Sequence, residues 1–129
     1  MTVKFNVVER GKPGDPTAPK KYYPSAVARG SVNLRHISDR AVEASTLSSA
    51  DFIASIEMLL YFITDELGRG NVVQLGDLGS FWIKFKTEAS ATPEEVSAKD
   101  ITGVLPRFIP AKKFKQKLEY FSFEKNIDL

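Results

Sequence analysis

The stretch Gly70-Asn71-Val72-Val73-Gln74-Leu75-Gly76-Asp77-Leu78-Gly79-Ser80-Phe81-Trp82-Ile83-Lys84-Phe85-Lys86 holds two β-like runs around a turn. Val72 to Leu75 reads as a short strand, Gly76-Asp77 as the turn, and Ser80 to Lys86 as a second strand. Successive side chains of a strand point to opposite faces. Phe81, Ile83 and Phe85 therefore make an apolar face, and Trp82, Lys84 and Lys86 make the other.

Upstream lies a helix with a marked start. Ser48 is a good N-cap, and Asp51 three residues later can return its hydrogen bond as in a capping box. Leu47 and Phe52 occupy the two positions of a hydrophobic staple, and Gly68 and Gly70 suit the C-terminal stop. Phe52, Ile56, Leu59, Leu60, Ile63 and Leu67 form one apolar face, but from Phe52 to Ile63 only Ser55 and Glu57 are polar. A helix apolar nearly all round is buried nearly all round. Either it sits at the centre of a monomer or a second copy covers it. So short a chain has few other elements to offer, which favours an intertwined homodimer. Before it, Leu34, Ile37 and Ala41 are spaced as on a helix from Val32 to about Ala44.

Downstream, residues 87–100 are polar, with Pro93 near the middle. Ile101 to Ile109 is β-like, interrupted by Gly103 and Pro106. Pro110 is placed to begin a last helix, with Ala111, Phe114 and Leu118 facing a core. At the N-terminus Val3, Phe5 and Val7 alternate with polar residues as in a strand. Gly11 to Pro19 is too rich in Gly and Pro for regular structure. Lys20 to Ala28 could be a return strand, which Pro24 confines to an edge or a bend. Tyr120-Phe121-Ser122-Phe123 could add a further strand to this extension.

The formal net charge of +2 is unevenly spread over the 129 residues. Residues 1–30 hold six basic and two acidic side chains, and residues 31–83 three basic and seven acidic. Arg107, Lys112, Lys113, Lys115 and Lys117 crowd residues 106–117 with no acid among them. This asymmetry points to an anionic partner at defined places. No cysteine is present, which removes disulfides, thiolate metal sites and cysteine nucleophiles, and makes a reducing cytoplasm the default. No apolar run is long enough to cross a bilayer, and the N-terminus lacks the pattern of a signal peptide. His36 is the only histidine. With no His or Cys cluster, phosphate-binding glycine loop or Ser-His-Asp set, the expectation is no catalytic residue, metal, cofactor or small-molecule substrate. Glu94-Glu95, an adjacent acid pair, reads as solvated loop.

Two fragments carry a resemblance. Gly70 to Phe81 is similar to Gly-x-x-Val-x-Leu-x-x-Phe-Gly-Thr-Phe, with Leu78 for the first Phe and Ser80 for the Thr. Leu105-Pro106-Arg107-Phe108-Ile109-Pro110-Ala111-Lys112-Lys113-Phe114-Lys115 is similar to Val-Pro-x-Phe-x-x-Gly-Lys-x-Leu-Lys, with Ala111 for Gly. In this order and spacing, residues 31–118 resemble the HU and integration-host-factor family of bacterial histone-like DNA-binding proteins. The β extension and the aromatic tail resemble a longer HU-like subgroup found in Bacteroides and relatives. The resemblance implies an α+β fold: a two-helix dimer body, a β-sheet saddle with a protruding β-arm, and a short C-terminal helix. Residues 1–30 would be an N-terminal β extension, 31–118 the HU-like domain, and 119–129 a tail packing with the extension.

The resemblance further implies a cytoplasmic, nucleoid-associated homodimer that binds double-stranded DNA largely without regard to sequence. Family DNA-facing positions match Lys84, Lys86, Lys112 and Lys115. With Lys99, Arg107 and Lys113 they make the expected DNA-binding set. Such lysines can track phosphates and release counterions without reading bases. Trp82 on the same face either packs on the nucleic acid or serves the sheet. One departure bears on function. The family's arm is arginine-rich, with an Arg-Asn-Pro tip that wedges between base pairs. Here Thr87 to Asp100 carries Glu94 and Glu95 beside Pro93, so bending should be weaker. The rival expectation is a protein-interaction module that keeps the scaffold while its DNA binding is weakened or lost.

Overall fold

In the computed structural model, which describes residues 1–127, the elements run β1 (Thr2–Arg10), β2 (Lys21–Ala26), α1 (Leu34–Ala44), α2 (Ser49–Gly68), β3 (Val73–Gln74), β4 (Gly79–Thr87), β5 (Ile101–Pro110), α3 (Lys112–Leu118) and β6 (Ser122–Lys125). The order is mixed α+β. The chain divides into two units, Met1–Asn33 with the segment from Leu118 onward, and Leu34–Lys117.

In the first unit the three strands form one sheet in the order β2-β1-β6. β1 and β2 pair antiparallel, with Val7 opposite Pro24. Pro24 thus sits on an edge strand, where a missing N–H is tolerated. β6 runs parallel to β1 in the register Thr2↔Ser122 to Phe5↔Lys125. Tyr120 and Phe121 precede it, so the aromatic segment is only partly strand.

In the second unit α2 begins and ends where its local chemistry dictates. The Asp51 N–H donates to Ser48 Oγ at 3.1 Å. The return bond from Asp51 to the cap is not formed. At the other end Gly70 takes a φ of 88°. Its N–H donates to the Leu67 carbonyl at 3.0 Å and that of Asn71 to the Glu66 carbonyl at 3.1 Å. These two bonds make a Schellman stop, which the left-handed glycine permits. The side chain of Asn71 adds a bond to Glu66 Oε2 at 2.8 Å.

The sheet of this unit is β3-β4-β5, antiparallel throughout. Gly79 opens β4 at the point where it passes closest to β5. An added Cβ there would overlap the Ile109 carbonyl oxygen and lie 2.7 and 2.8 Å from the Phe108 ring, and its φ is 148°. Only glycine fits. Pro106 lies within β5 rather than interrupting it, because β5 is an edge strand. Pro110 corrects the sequence expectation. It ends β5 opposite Gly79, and α3 starts two residues later, at Lys112. The Ala111 N–H donates to the Leu78 carbonyl at 3.2 Å, which holds the strand end in the ladder instead of starting the helix.

After a register shift at Lys86/Thr87 the β4–β5 ladder ends at Thr87↔Ile101, and one more backbone bond follows, from the Glu88 N–H to the Asp100 carbonyl at 2.8 Å. Residues 88–100 add no further strand to this ribbon. They fold into two 3₁₀ turns, Pro93–Glu95 and Ala98–Asp100. Here an aspartate does complete a capping box, because the tighter turn brings it within reach. The Ser97 N–H donates to Asp100 Oδ2 at 3.0 Å, and the Ser90 hydroxyl donates to the same oxygen at 3.0 Å. These bonds draw the connection together at its base.

No hydrophobic side chain among the described residues is buried. The one fully enclosed side chain among them is Ser38, whose hydroxyl meets that of Ser49 at 3.0 Å and ties α1 to the start of α2. Phe52, Ile63 and Leu67 of the expected core face are half-buried, whereas Ile56, Leu59 and Leu60 are exposed. So are Met58 (58%), Tyr61 (66%) and Phe62 (53%) on the same helix. A single chain therefore builds the elements of a core without closing one.

Candidate nucleic-acid interface

The register of β4 against β5 decides which cations stand together. Directly opposed residues of an antiparallel pair share a face. Trp82 is opposite Arg107, Lys84 opposite Leu105, and Lys86 opposite Gly103. Lys84, Lys86 and Arg107 therefore project from one face, with Trp82 half-buried at its inner end. No acid occupies that face of the two strands. The other face carries Phe81, Ile83 and Phe85 opposite Phe108, Pro106 and Val104. Phe81 and Phe108 pack with ring centroids 4.9 Å apart and their planes tilted by 43°, and Phe114 of α3 meets Phe108 edge-on at 6.5 Å. Helix α3 is thus anchored through the apolar side of the sheet.

That anchor sets the lysines of α3. Phe114 is half-buried, and Lys112, Lys113, Lys115 and Lys117 are exposed around it. Lys113 ion-pairs with Asp77 at 3.3 Å, which satisfies part of its charge within the fold. Among the described residues no ion pair engages Lys84, Lys86, Arg107, Lys112 or Lys115. Lys99 stands apart from both groups, in the second 3₁₀ turn, where Glu88, Glu94, Glu95 and Asp100 are its neighbours in sequence.

The seven expected residues therefore fall into three sets: three on one sheet face, three on α3, and Lys99 in the connecting loop. Lys117 joins the α3 set although it lay outside the expected one; its place in the uninterrupted basic run was the signal for it. The pairing of Trp82 with Arg107 had no sequence signal, because 24 residues separate them. Among the described residues no group of His, Cys, Asp or Glu side chains could hold a metal ion. Nor is any helix among them long and apolar enough to cross a membrane.

A family model described as an HU domain fused to wHTH, Ig, or glycine-rich motif matches residues 1–125. A crystal structure from Bacteroides vulgatus, provisionally named a bacterial DNA-binding protein, aligns with a TM-score of 0.71 at 14% identity. The alignment covers 96% of this chain and 47% of that one, so this chain spans about half that protein's length. At such identity the likeness is one of fold. No curated protein matches the chain.

Proposed function

This chain belongs to the HU-HIG family, the HU domain fused to other motifs, and from that premise we propose that it is a non-enzymatic DNA-binding protein. It acts as a homodimer that holds duplex DNA largely independently of sequence. Its role is architectural, in the cytoplasm at the nucleoid. The observation that carries this reading is the sheet face of Lys84, Lys86 and Arg107, three cations with no ion-pair partner among the described residues and no acid between them. Lys112, Lys113 and Lys115 add charge from α3, and Lys99 contributes from the loop. Lysines and one arginine on a regular strand spacing suit a phosphate backbone, whose charges recur at regular intervals. The set holds one guanidinium, Arg107, and no Asn or Gln side chain, so its means of reading base edges are few.

Dimerisation is supported by the absence of any buried apolar side chain among the described residues of the single chain. The apolar face of α2 and the Phe85–Val104 end of the sheet have nothing to cover them within one copy. Weaker bending than the family resemblance implies is supported by the acidic residues Glu94 and Glu95 in the 3₁₀ turns of residues 88–100. The test is duplex binding at low ionic strength with several unrelated sequences. Comparable affinity for all of them is expected. No binding to any would leave the scaffold as a protein-interaction module.

A further inference from the structure

The sheet of the N-terminal unit places its charges in two ways. Lys4 lies opposite Glu124 on β6, an arrangement that favours the ladder. Arg10 lies opposite Lys21 on β2, and like charges directly opposed weaken a ladder. Both are exposed. A third cation is brought to the same end by a tight turn. The Asp15 N–H donates to the Lys12 carbonyl at 3.1 Å across Pro13-Gly14, and Gly14 has a φ of 79°. Proline followed by a positive-φ glycine is a type II turn. Arg10, Lys12 and Lys21, with Tyr23 beside them, line one open groove of about 740 Å³.

Of the nearby acids only Asp15 shares this groove. Glu9 points to the opposite face of β1 from Arg10 and meets Lys20 at 3.9 Å. Asp15 lines the groove, but its Oδ1 accepts the Thr17 hydroxyl at 2.7 Å and the Thr17 N–H at 3.0 Å. Those two bonds hold its carboxyl below the ordinary range, so Asp15 stays charged, offsets one of the three cations and leaves the groove with an excess of positive charge. Among the described residues no carboxylate forms an ion pair with Arg10, Lys12 or Lys21. A like-charge pair thus stands at the end of a small sheet, with no ion pair to either member among the described residues.

We propose that Arg10, Lys12 and Lys21 form a second phosphate-contacting surface, by which the N-terminal unit engages the backbone of duplex DNA. The inference rests on the DNA-binding reading above. The groove is open and its donors are charged, which suits a polyanion's backbone and no enclosed small molecule. The full-length chain with Arg10→Gln, Lys12→Gln and Lys21→Gln should fold as the wild type does, since all three side chains are exposed. Its duplex affinity should fall uniformly across sequences, and the slope of log affinity against log salt should flatten by up to about 0.9 for each phosphate no longer neutralised. Lys20→Gln, which removes a cation already paired with Glu9, should leave the slope unchanged. A wild-type slope retained in the triple variant overturns this surface while leaving DNA binding by the other unit intact. An equal flattening by Lys20→Gln also overturns it, since the effect would then be diffuse charge. A wild-type chain with no salt-dependent binding removes both readings together.

Discussion

Gly79 shows how one missing side chain allows two strands to meet. Its φ of 148° and the overlap of any Cβ with the Ile109 carbonyl leave no room for a substituent. Gly79→Ala should cost about 2 kcal/mol or more, the sum of backbone strain and steric displacement in the tightest part of the ladder. Denaturant unfolding of the variant measures this, and an unchanged midpoint would show that β4 and β5 can separate there freely. Lys84 and Lys86 make the opposite case. They stand away from Phe81, Ile83 and Phe85, so Lys84→Gln with Lys86→Gln should leave thermal stability nearly unchanged. Duplex affinity should nonetheless drop to a similar extent for every sequence tested. A sequence-selective loss would instead indicate base readout.

At the scale of elements, legibility follows the range of the forces that set each boundary. The limits of α2 were readable because Ser48 and Gly70 act on backbone groups a few residues away. Pro110 misled because two structures use its missing N–H equally well, the first turn of a helix and the end of an edge strand. The choice was made by the Ala111–Leu78 hydrogen bond, which links distant segments. The faces of β4 were legible from alternation alone. Which cations of β5 join them was not, since register across a 13-residue connection depends on the whole ladder. The polar run with Pro93 announced a break in regular structure but not the Asp100 bonds that fold it. Glu94 and Glu95 lie exposed in that connection. If they approach phosphates, Glu94→Gln with Glu95→Gln should tighten duplex binding with little change in stability. Unchanged or weaker affinity would mean that the loop stays clear of the DNA.

For the whole molecule the exposed apolar face of α2 and the cationic face of β4 and β5 belong to one account. The proposed second copy would cover the first, and it would double the cations. The chain should sediment as a dimer at micromolar concentration. Phe62→Lys should give monomer or aggregate, because association would bury an unpaired charge. A stable wild-type monomer would contradict the dimer. The most direct test of DNA binding is the salt dependence of wild-type affinity for a short duplex. If Lys84, Lys86, Lys112 and Lys115 meet phosphates in both copies, the dimer neutralises about eight of them, and log affinity falls with log salt at a slope approaching roughly −7. Affinity that does not change with salt, or no measurable binding at low ionic strength, would contradict the account.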